Sequence, residues 1–585
     1  MFNIVVLISL PIILALFLIS PNRLKKSKIT FIGVSILALL SFVSYFSGSS
    51  PFSFFYPLHI LFFILDIILL LFFFYRGVVE KDSKVYALAF TQLILYGIYS
   101  FLEPSQISYD ILVDKISLTM LLVINIVGGI IIIYALKYIE SEEFSEAKKN
   151  GFIAILFFFL AVMNLIVTTN SLEIFFLCFE LTTLCSYLLI RYRGDKNSKT
   201  NALRALWMNQ IGGVAILAVM ILSANYYDTS YMNILLKNID ETHVFILAIF
   251  AIAAFVKGAA IPFEKWLLGA MVAPTPVSAI LHSATMVKIS PYLILKLTPA
   301  FTPFVSSLIV FLGMFIFMSA SIMALSKDYF KEVLGLSTIA LLAFMVAIAS
   351  IGSDDAINIA LVLIVFHAIS KALLFLQAGI LEKEFHLKYL SDMNFLVDKS
   401  PLLVFMILVG FTSLTLPPFG VFIGKFLSIE LMIEQIKINP LNIIAFIFMV
   451  IGSVVLTLLY FKVATKMMAN ENISLPNKVI KIDTIYKYTS LSLFVLLMIG
   501  VVSSFTFSAF SFYEIVLPIF FIFIVPLILY KMRSKKVNLV KEYNCGEKDK
   551  VVVNTYYFEL SDGKIKLIKY LSIFCMVFLV LGSLI

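Results

Sequence analysis

Charge is what this sequence has least of. Asp, Glu, Lys and Arg together supply 14% of its 585 residues, against about 25% in a soluble domain, so water cannot be its main solvent. Cysteine is scarce as well. The four present, Cys178, Cys185, Cys545 and Cys575, form no CxxC pair and no metal-ligand spacing. That excludes an iron–sulfur or nickel site built by this chain alone. Cys178 and Cys185 stand on one apolar helical face, where they read as small buried hydrophobes. Neither a glycine-rich phosphate loop nor a dinucleotide fingerprint occurs, so no cofactor is expected in this chain. The net charge of +9 does not signal nucleic acid. Its basic residues are scattered among the loops between apolar runs, as the positive-inside rule places them.

What the sequence has is apolar length. Hydrophobic residues make up 61% of it, and the mean hydropathy is +1.04. Runs long enough to cross a bilayer, about 20 residues each, recur from Met1 to Ile585. The expected fold is an all-α polytopic membrane protein with about 18 transmembrane helices. Residues 3–19 read as a retained span rather than a signal peptide, because the basic stretch Arg23–Lys28 follows the apolar run and no small-residue cleavage site precedes it. Loops 20–28, 76–84, 138–150, 191–204 and 531–550 hold most of the Lys and Arg, and all fall on one side. With that side cytoplasmic in the cell membrane, both termini lie outside.

Three helices are predicted to be interrupted: at Lys257-Gly-Ala-Ala-Ile-Pro262, at His367-Ala-Ile-Ser-Lys371, and at Thr415-Leu-Pro-Pro-Phe-Gly420 with Gly424-Lys425 just beyond. Breaks at membrane depth persist only where protein or water satisfies the freed backbone. Two Pro/Gly-interrupted spans at related places predict two inverted-repeat helix bundles, over about 151–298 and 302–466. The division expected is an N-terminal four-helix extension (1–108), an ion-translocating core (109–466), and C-terminal helices with a short cytoplasmic loop and a terminal anchor (467–585).

Charges inside the spans are the functional signal, since each costs at least about 2.5–3.5 kcal/mol at mid-membrane. Glu180, Lys257, His282, Lys288, His367, Lys371 and Lys425 all sit in apolar surroundings, and Asp66 lies deep in the third span. Snorkelling to the interface accounts for Lys296 and Lys466 at helix ends, and Arg204 reads as a fixed charge because arginine does not release its proton. His367 and Lys371, four apart, share one helical face. A buried Glu–Lys pair also serves as structural glue, but a row of five or more such groups is difficult to explain that way. Desolvation and pairing pull a buried lysine's proton affinity in opposite directions, and histidine relays protons between such stations.

The residues around these charges resemble a known family. Phe255-Val-Lys-Gly-Ala-Ala-Ile-Pro-Phe-Glu-Lys-Trp-Leu267, running into Ala273-Pro-Thr-Pro-Val-Ser-Ala-Ile-Leu-His-Ser-Ala-Thr-Met-Val287, is similar to the antiporter-like subunits of respiratory complex I, Mrp antiporters and membrane-bound hydrogenases. Asp114-Lys-Ile-Ser-Leu118, Phe179-Glu-Leu181, His367-Ala-Ile-Ser-Lys371 and Pro417-Pro-Phe-Gly-Val-Phe-Ile-Gly-Lys425 extend the match over about 109–466. The resemblance implies that Glu180 and Lys257 form a charged pair at one half-channel. It makes Lys288 and Lys371, with His282 and His367, a central polar axis, and Lys425 the terminal lysine near the exit. Phe179 stands where many members carry Trp, a departure not expected to alter the chemistry.

The extra spans 55–75 and 84–102, the stretch Asn201–Leu206 and the tail Tyr543-Asn-Cys-Gly-Glu547 look most like the large subunit of Ech-type [NiFe] hydrogenases. The implied function is H⁺ or Na⁺ translocation by a chain that performs no redox catalysis itself. Its partners would be other membrane and peripheral subunits carrying nickel–iron and iron–sulfur centres, with one membrane partner expected near Glu180. A Mrp-type Na⁺/H⁺ antiporter subunit is the alternative, and a membrane scaffold without transport a third reading.

Overall fold

The computed structural model describes residues 2–19, 26–47, 52–54, 59–102, 104–106, 108–393, 396–417, 419–468, 482–504 and 558–584. In hydrocarbon a chain must pair its own backbone groups, and a helix does so within one segment. The described chain is accordingly helical almost throughout. Two helices, α1 (Phe2–Ile19) and α2 (Lys26–Ser47), lead into strand β1 (Phe52–Phe54), which pairs antiparallel with β2 (Ile111–Val113). Between the strands runs a hairpin of α3 (His59–Val79) and α4 (Ser83–Ser100). The strand pair closes the base of this insertion, so the chain leaves and re-enters the bundle at one point.

The bundle continues through α5 (Lys115–Glu140), α6 (Glu146–Ile166), α7 (Leu172–Ile190), α8 (Lys196–Tyr227), the short α9 (Met232–Asn238), α10 (Phe245–Lys257), α11 (Glu264–Gly269), α12 (Thr275–Ser283) and α13 (Ile289–Leu297). It is completed by α14 (Pro303–Leu325), α15 (Phe330–Ala349), α16 (Asp354–Glu384), the short α17 (Leu396–Lys399), α18 (Pro401–Thr415), α19 (Gly420–Ile438), α20 (Asn442–Met468), α21 (Thr484–Ser504) and α22 (Asp562–Gly582). Fourteen helical stretches among the described residues are long and apolar enough to cross a membrane, and the protein is a multi-pass membrane protein. Three more of the expected spans are present as the shorter α1 and α10 and as α4, which carries Lys84, Thr91, Gln92 and three tyrosines. The expected span 512–530, the end of 489–508 and most of the loop before the terminal helix lie outside the described residues. That terminal helix, α22, does not stand apart: it packs on α10 and α14.

Two of the three expected breaks are present. Between α10 and α11, Ala259 adopts φ 53, a left-handed conformation that a non-glycine residue rarely takes. The carbonyl of Val256 there accepts from Trp266 Nε1 at 3.0 Å, so the Trp of the motif pairs the backbone that the break frees. Between α18 and α19, Leu416 and Phe419 are both extended. The third expectation is wrong. His367–Lys371 lies inside α16, a continuous 31-residue helix. Nothing there removes a backbone donor or forces an unusual φ, and the polar side chains find partners without unwinding: Ser370 Oγ donates to Phe366 O at 2.7 Å.

A break not foreseen separates α12 from α13, between His282 and Lys288. Thr285 turns its hydroxyl onto Ile280 O at 2.7 Å. The inner helices α12, α13, α15 and α16 are almost wholly buried, while α2, α3, α20 and α22 keep broad apolar faces outward. The long helices α8 and α16 each pack against both segments of a broken helix, α10 with α11 and α18 with α19.

Asp114 explains its motif structurally. It caps α5, accepting from Ser117 N at 2.9 Å, and also receives Lys296 Nζ at 2.7 Å, tying the start of α5 to the end of α13. Asp114→Ala is expected to lower stability by about 1 kcal/mol, the worth of a helix cap. Loss of the ion pair with Lys296, whose side chain is only 13% exposed, adds to this. A thermal unfolding scan in detergent checks this.

Candidate ion-translocation site

The first group lies where α4, α7, α8 and α10 meet. Glu180 and Lys257 are both fully buried and near enough to feel each other's charge, yet no direct ion pair joins them among the described residues. Lys257 Nζ instead donates to Phe179 O at 2.9 Å and Thr183 Oγ1 at 2.8 Å, and lies 3.8 Å from the Phe179 ring centroid. Cation–π attraction thus makes Phe179 part of the lysine's seat, although sequence reasoning discounted it. Thr183 is a polar neighbour that both charges share.

Glu180 Oε1 accepts from Gln92 Nε2 of α4 at 2.8 Å, while Oε2 has no hydrogen-bond partner among the described residues. Glu180 is therefore covered by the chain's own α3–α4 hairpin.

Gly213 of α8 makes the Glu180–Gln92 contact possible. A Cβ at that position would overlap both Glu180 Oε1 and Gln92 Nε2. Gly213→Val is expected to cost about 1–3 kcal/mol by overpacking and to push Glu180 off Gln92. Thermal unfolding checks the first effect, and ion transport by the reconstituted complex, expected to fall, checks the second.

The second group is central. Lys288, at the α12–α13 break, meets His367 Nδ1 of α16 at 2.5 Å. Lys371, one turn on along α16, reaches across to α15, where Leu334 O and Ser337 Oγ accept at 3.1 and 2.6 Å. His282 of α12 lies against Phe375, ring centroids 4.7 Å apart and the planes tilted by 33°. It feels the charges of Lys371 and Lys288, and neither of its ring nitrogens has a hydrogen-bond partner among the described residues. All four are fully buried. Between the two groups stands Ser290, whose hydroxyl packs so closely on Gly258, next to Lys257, that a Cβ there would overlap it.

Lys425 is buried in α19 but stands apart: among the described residues no hydrogen bond or ion pair joins it to the central group. Beside it, at Gly424, lies a cavity of about 430 Å³ whose lining includes Lys115, Asp355, Phe366 and Glu430.

Other polar contacts surround this row. Arg204 donates to Asn201 Oδ1 at 2.8 Å, near the start of α8. The buried Glu264, just past the first break, pairs with Lys569 of α22, so the terminal helix clamps the broken element that carries Lys257. Lys331 pairs with Glu382 at 2.5 Å and Thr275 Oγ1 donates to the same carboxylate at 2.8 Å, joining the start of α12 to α15 and α16. Gln92, Thr183, Ser290 and Ser337 were not singled out from sequence, and only Gln92 carried a signal there, as an amide within an apolar run. No group of three or more His, Cys, Asp and Glu among the described residues is arranged to hold a metal ion.

Comparison with known proteins identifies the family. The family profile "NADH:quinone oxidoreductase/Mrp antiporter, TM" matches residues 169–457, and "NADH-Ubiquinone oxidoreductase (complex I), chain 5 N-terminus" matches residues 101–146. The chain is 30% identical over 363 residues to a Na⁺/H⁺ antiporter subunit of Alkalihalophilus pseudofirmus, an alignment covering 58% of this chain and 45% of that protein. It is 27% identical over 428 residues to a Na⁺/H⁺ antiporter subunit of Staphylococcus haemolyticus, covering 68% and 52% respectively. The chain thus spans about half the length of the curated relatives it matches. Among solved structures, a chain of the membrane-bound sulfane sulfur reductase, an archaeal respiratory membrane complex, superposes with a TM-score of 0.69 at 17% identity, covering 86% of this chain and 95% of that one. At that identity the likeness is one of fold.

Proposed function

Since the chain belongs to the antiporter-like subunit family that complex I and Mrp antiporters share, we propose that it is the H⁺- or Na⁺-translocating membrane subunit of a redox-driven complex. One observation carries this reading. Lys257, Lys288, Lys371 and Lys425 are buried among apolar helices, and none is in a direct ion pair with a carboxylate among the described residues. Structural glue would pair each of them, because an unpaired buried charge is strongly destabilising. Ammonium groups held by carbonyls, hydroxyls and an imidazole are placed to exchange protons with their neighbours.

In this reading Glu180 and Lys257 are the entry pair. Lys288, His367, Lys371 and His282 form the central relay, and Lys425 is the last station, beside its cavity. The packing of α8 and α16 on broken helices supports treating 151–298 and 302–466 as inverted repeats within a core of 109–466. With the basic loops on the cytoplasmic side, this reading puts the chain in the cell membrane with both termini outside.

The driving partner we propose is a hydrogenase-like module with nickel–iron and iron–sulfur centres. The names of the curated relatives favour a second reading, a component of a Mrp-type Na⁺/H⁺ antiporter. Purification of the native assembly in mild detergent, with subunit identification and an H₂ oxidation assay, separates the two. Iron–sulfur and hydrogenase-like partners are expected. A single-chain particle that exchanges Na⁺ for H⁺ without partners would overturn the redox-driven reading.

A further inference from the structure

The α3–α4 hairpin holds polar groups that the row of stations above does not use. Its docking on α7 is polar at three depths. At one end Arg76 Nε donates to Tyr187 OH at 3.0 Å, and Glu80 accepts from both Arg76 and Arg191 at 2.5 Å. The hydrogen bond from Arg191 helps hold the Glu80 carboxyl below its usual range. In the middle Gln92 meets Glu180, and also donates to Gln210 O at 3.2 Å. At the other end Tyr99 OH donates to Glu173 Oε1 at 2.9 Å. Between the last two levels sits Asp66 of α3, fully buried. Tyr96 OH donates to its Oδ2 at 3.1 Å, and its Oδ1 has no hydrogen-bond partner among the described residues.

Gln92, Tyr96 and Tyr99 fall at i, i+4 and i+7 of α4, one face of the helix. The rings of Tyr96 and Tyr99 lie 6.3 Å apart, and Tyr96 also stacks on Phe176 of α7 at 5.9 Å. Three carboxylates therefore descend α3 and α7 in step: Glu173 near the end of the bundle and half-buried, Asp66 deeper, and Glu180 deeper still. Each is bonded to a residue of that α4 face. A helical turn rises about 5.4 Å, a gap that one water spans. Two carboxylate oxygens in this ladder, Asp66 Oδ1 and Glu180 Oε2, are buried without a hydrogen-bond partner among the described residues, as is Gln210 Oε1 close by. Buried polar atoms of this kind call for an unseen water or proton.

We propose that Glu173, Asp66 and Glu180 form a proton branch along the hairpin, with Asp66 as a protonatable station that delivers protons to Glu180. The inference rests on the reading of Glu180 as a transport station. The step is simple. The Asp66 carboxylate takes up a proton arriving from the Glu173 end and becomes the neutral acid. It then gives that proton through water to the Glu180 carboxylate and is ionised again. Tyr96, Tyr99 and Gln92 hold and orient the carboxylates and do not change charge. The groups facing Asp66 are Tyr96 on α4 and Cys178, Glu173 and Glu180 on α7.

The test uses the native complex reconstituted in sealed vesicles, with transport and difference infrared spectra read on the same samples. Asp66→Asn is expected to slow H⁺ movement about 10²-fold or more, the low end of what a positioned acid–base group contributes. It should also remove one carbonyl-stretch band of a protonated carboxyl. Tyr96→Phe keeps the ring packing, guards against misfolding of the first variant, and is expected to shift that band and slow transport less. Unchanged transport and an unchanged band in both variants, while Glu180→Gln stops transport, would overturn the branch and leave the reading of Glu180 intact. Full transport by Glu180→Gln would overturn that reading and the branch with it.

Discussion

Lys257→Ala is expected to reduce ion translocation by about 10²-fold or more, the scale of a lost proton-transfer group, while the complex still assembles. The lysine is seated by the Phe179 carbonyl and ring and the Thr183 hydroxyl. Of these, Thr183 Oγ1 and the Phe179 carbonyl keep a contact within α7 when the ammonium is gone. Removing a buried cation that has no direct carboxylate partner does not strand an opposite charge at contact distance, the situation that makes breaking a buried pair so costly. Glu180 keeps Gln92. Stability should therefore fall little, and co-purification of the other subunits should be near normal. Vesicle transport that stays at the wild-type rate would remove Lys257 from the mechanism.

Lys371→Met is expected to stop transport to a similar extent. Methionine fills nearly the same space with a flexible apolar chain, so α16 and α15 stay packed. What goes is the titratable group that links Leu334 O and Ser337 Oγ to the His367 face of α16. Lys371→Arg gives the sharper comparison. It restores a cation but not one that releases its proton at accessible pH, so it too should be inactive. Wild-type transport by the arginine variant would mean that a fixed charge suffices there.

Much of the site was legible because cost marks it: a lysine within an apolar run has few structural excuses. The breaks at Gly258–Pro262 and before Gly420 were legible because glycine and proline remove side-chain or backbone constraints that keep a helix going. Sequence reasoning misread His367–Lys371 from its polar residues alone: no glycine or proline stands there, and the lysine and histidine reach neighbouring helices instead. It also missed the break between His282 and Lys288. No glycine or proline marks that break from within, and the hydroxyls of Ser283 and Thr285, bonded to Ala279 O and Ile280 O, give no periodic signal. The Gln92–Glu180 contact joins residues 88 apart in sequence, and no spacing rule reaches that far. Asp66 was visible as a misplaced charge, but its meaning depends on Tyr96, which reads alone as an ordinary aromatic.

The central claim is that Lys257, His282, Lys288, His367, Lys371 and Lys425 belong to one continuous hydrated path. Some links are already in contact, as between Lys288 and His367, whereas Lys425 stands apart. A map of the native complex that resolves ordered water tests this most directly. The expected result is water at the unpartnered nitrogens of His282, between Ser290 and Lys257, and between Lys371 and Lys425, with each gap bridged by one or two molecules. Dry apolar packing across any of those gaps in every state of the working complex would contradict the account.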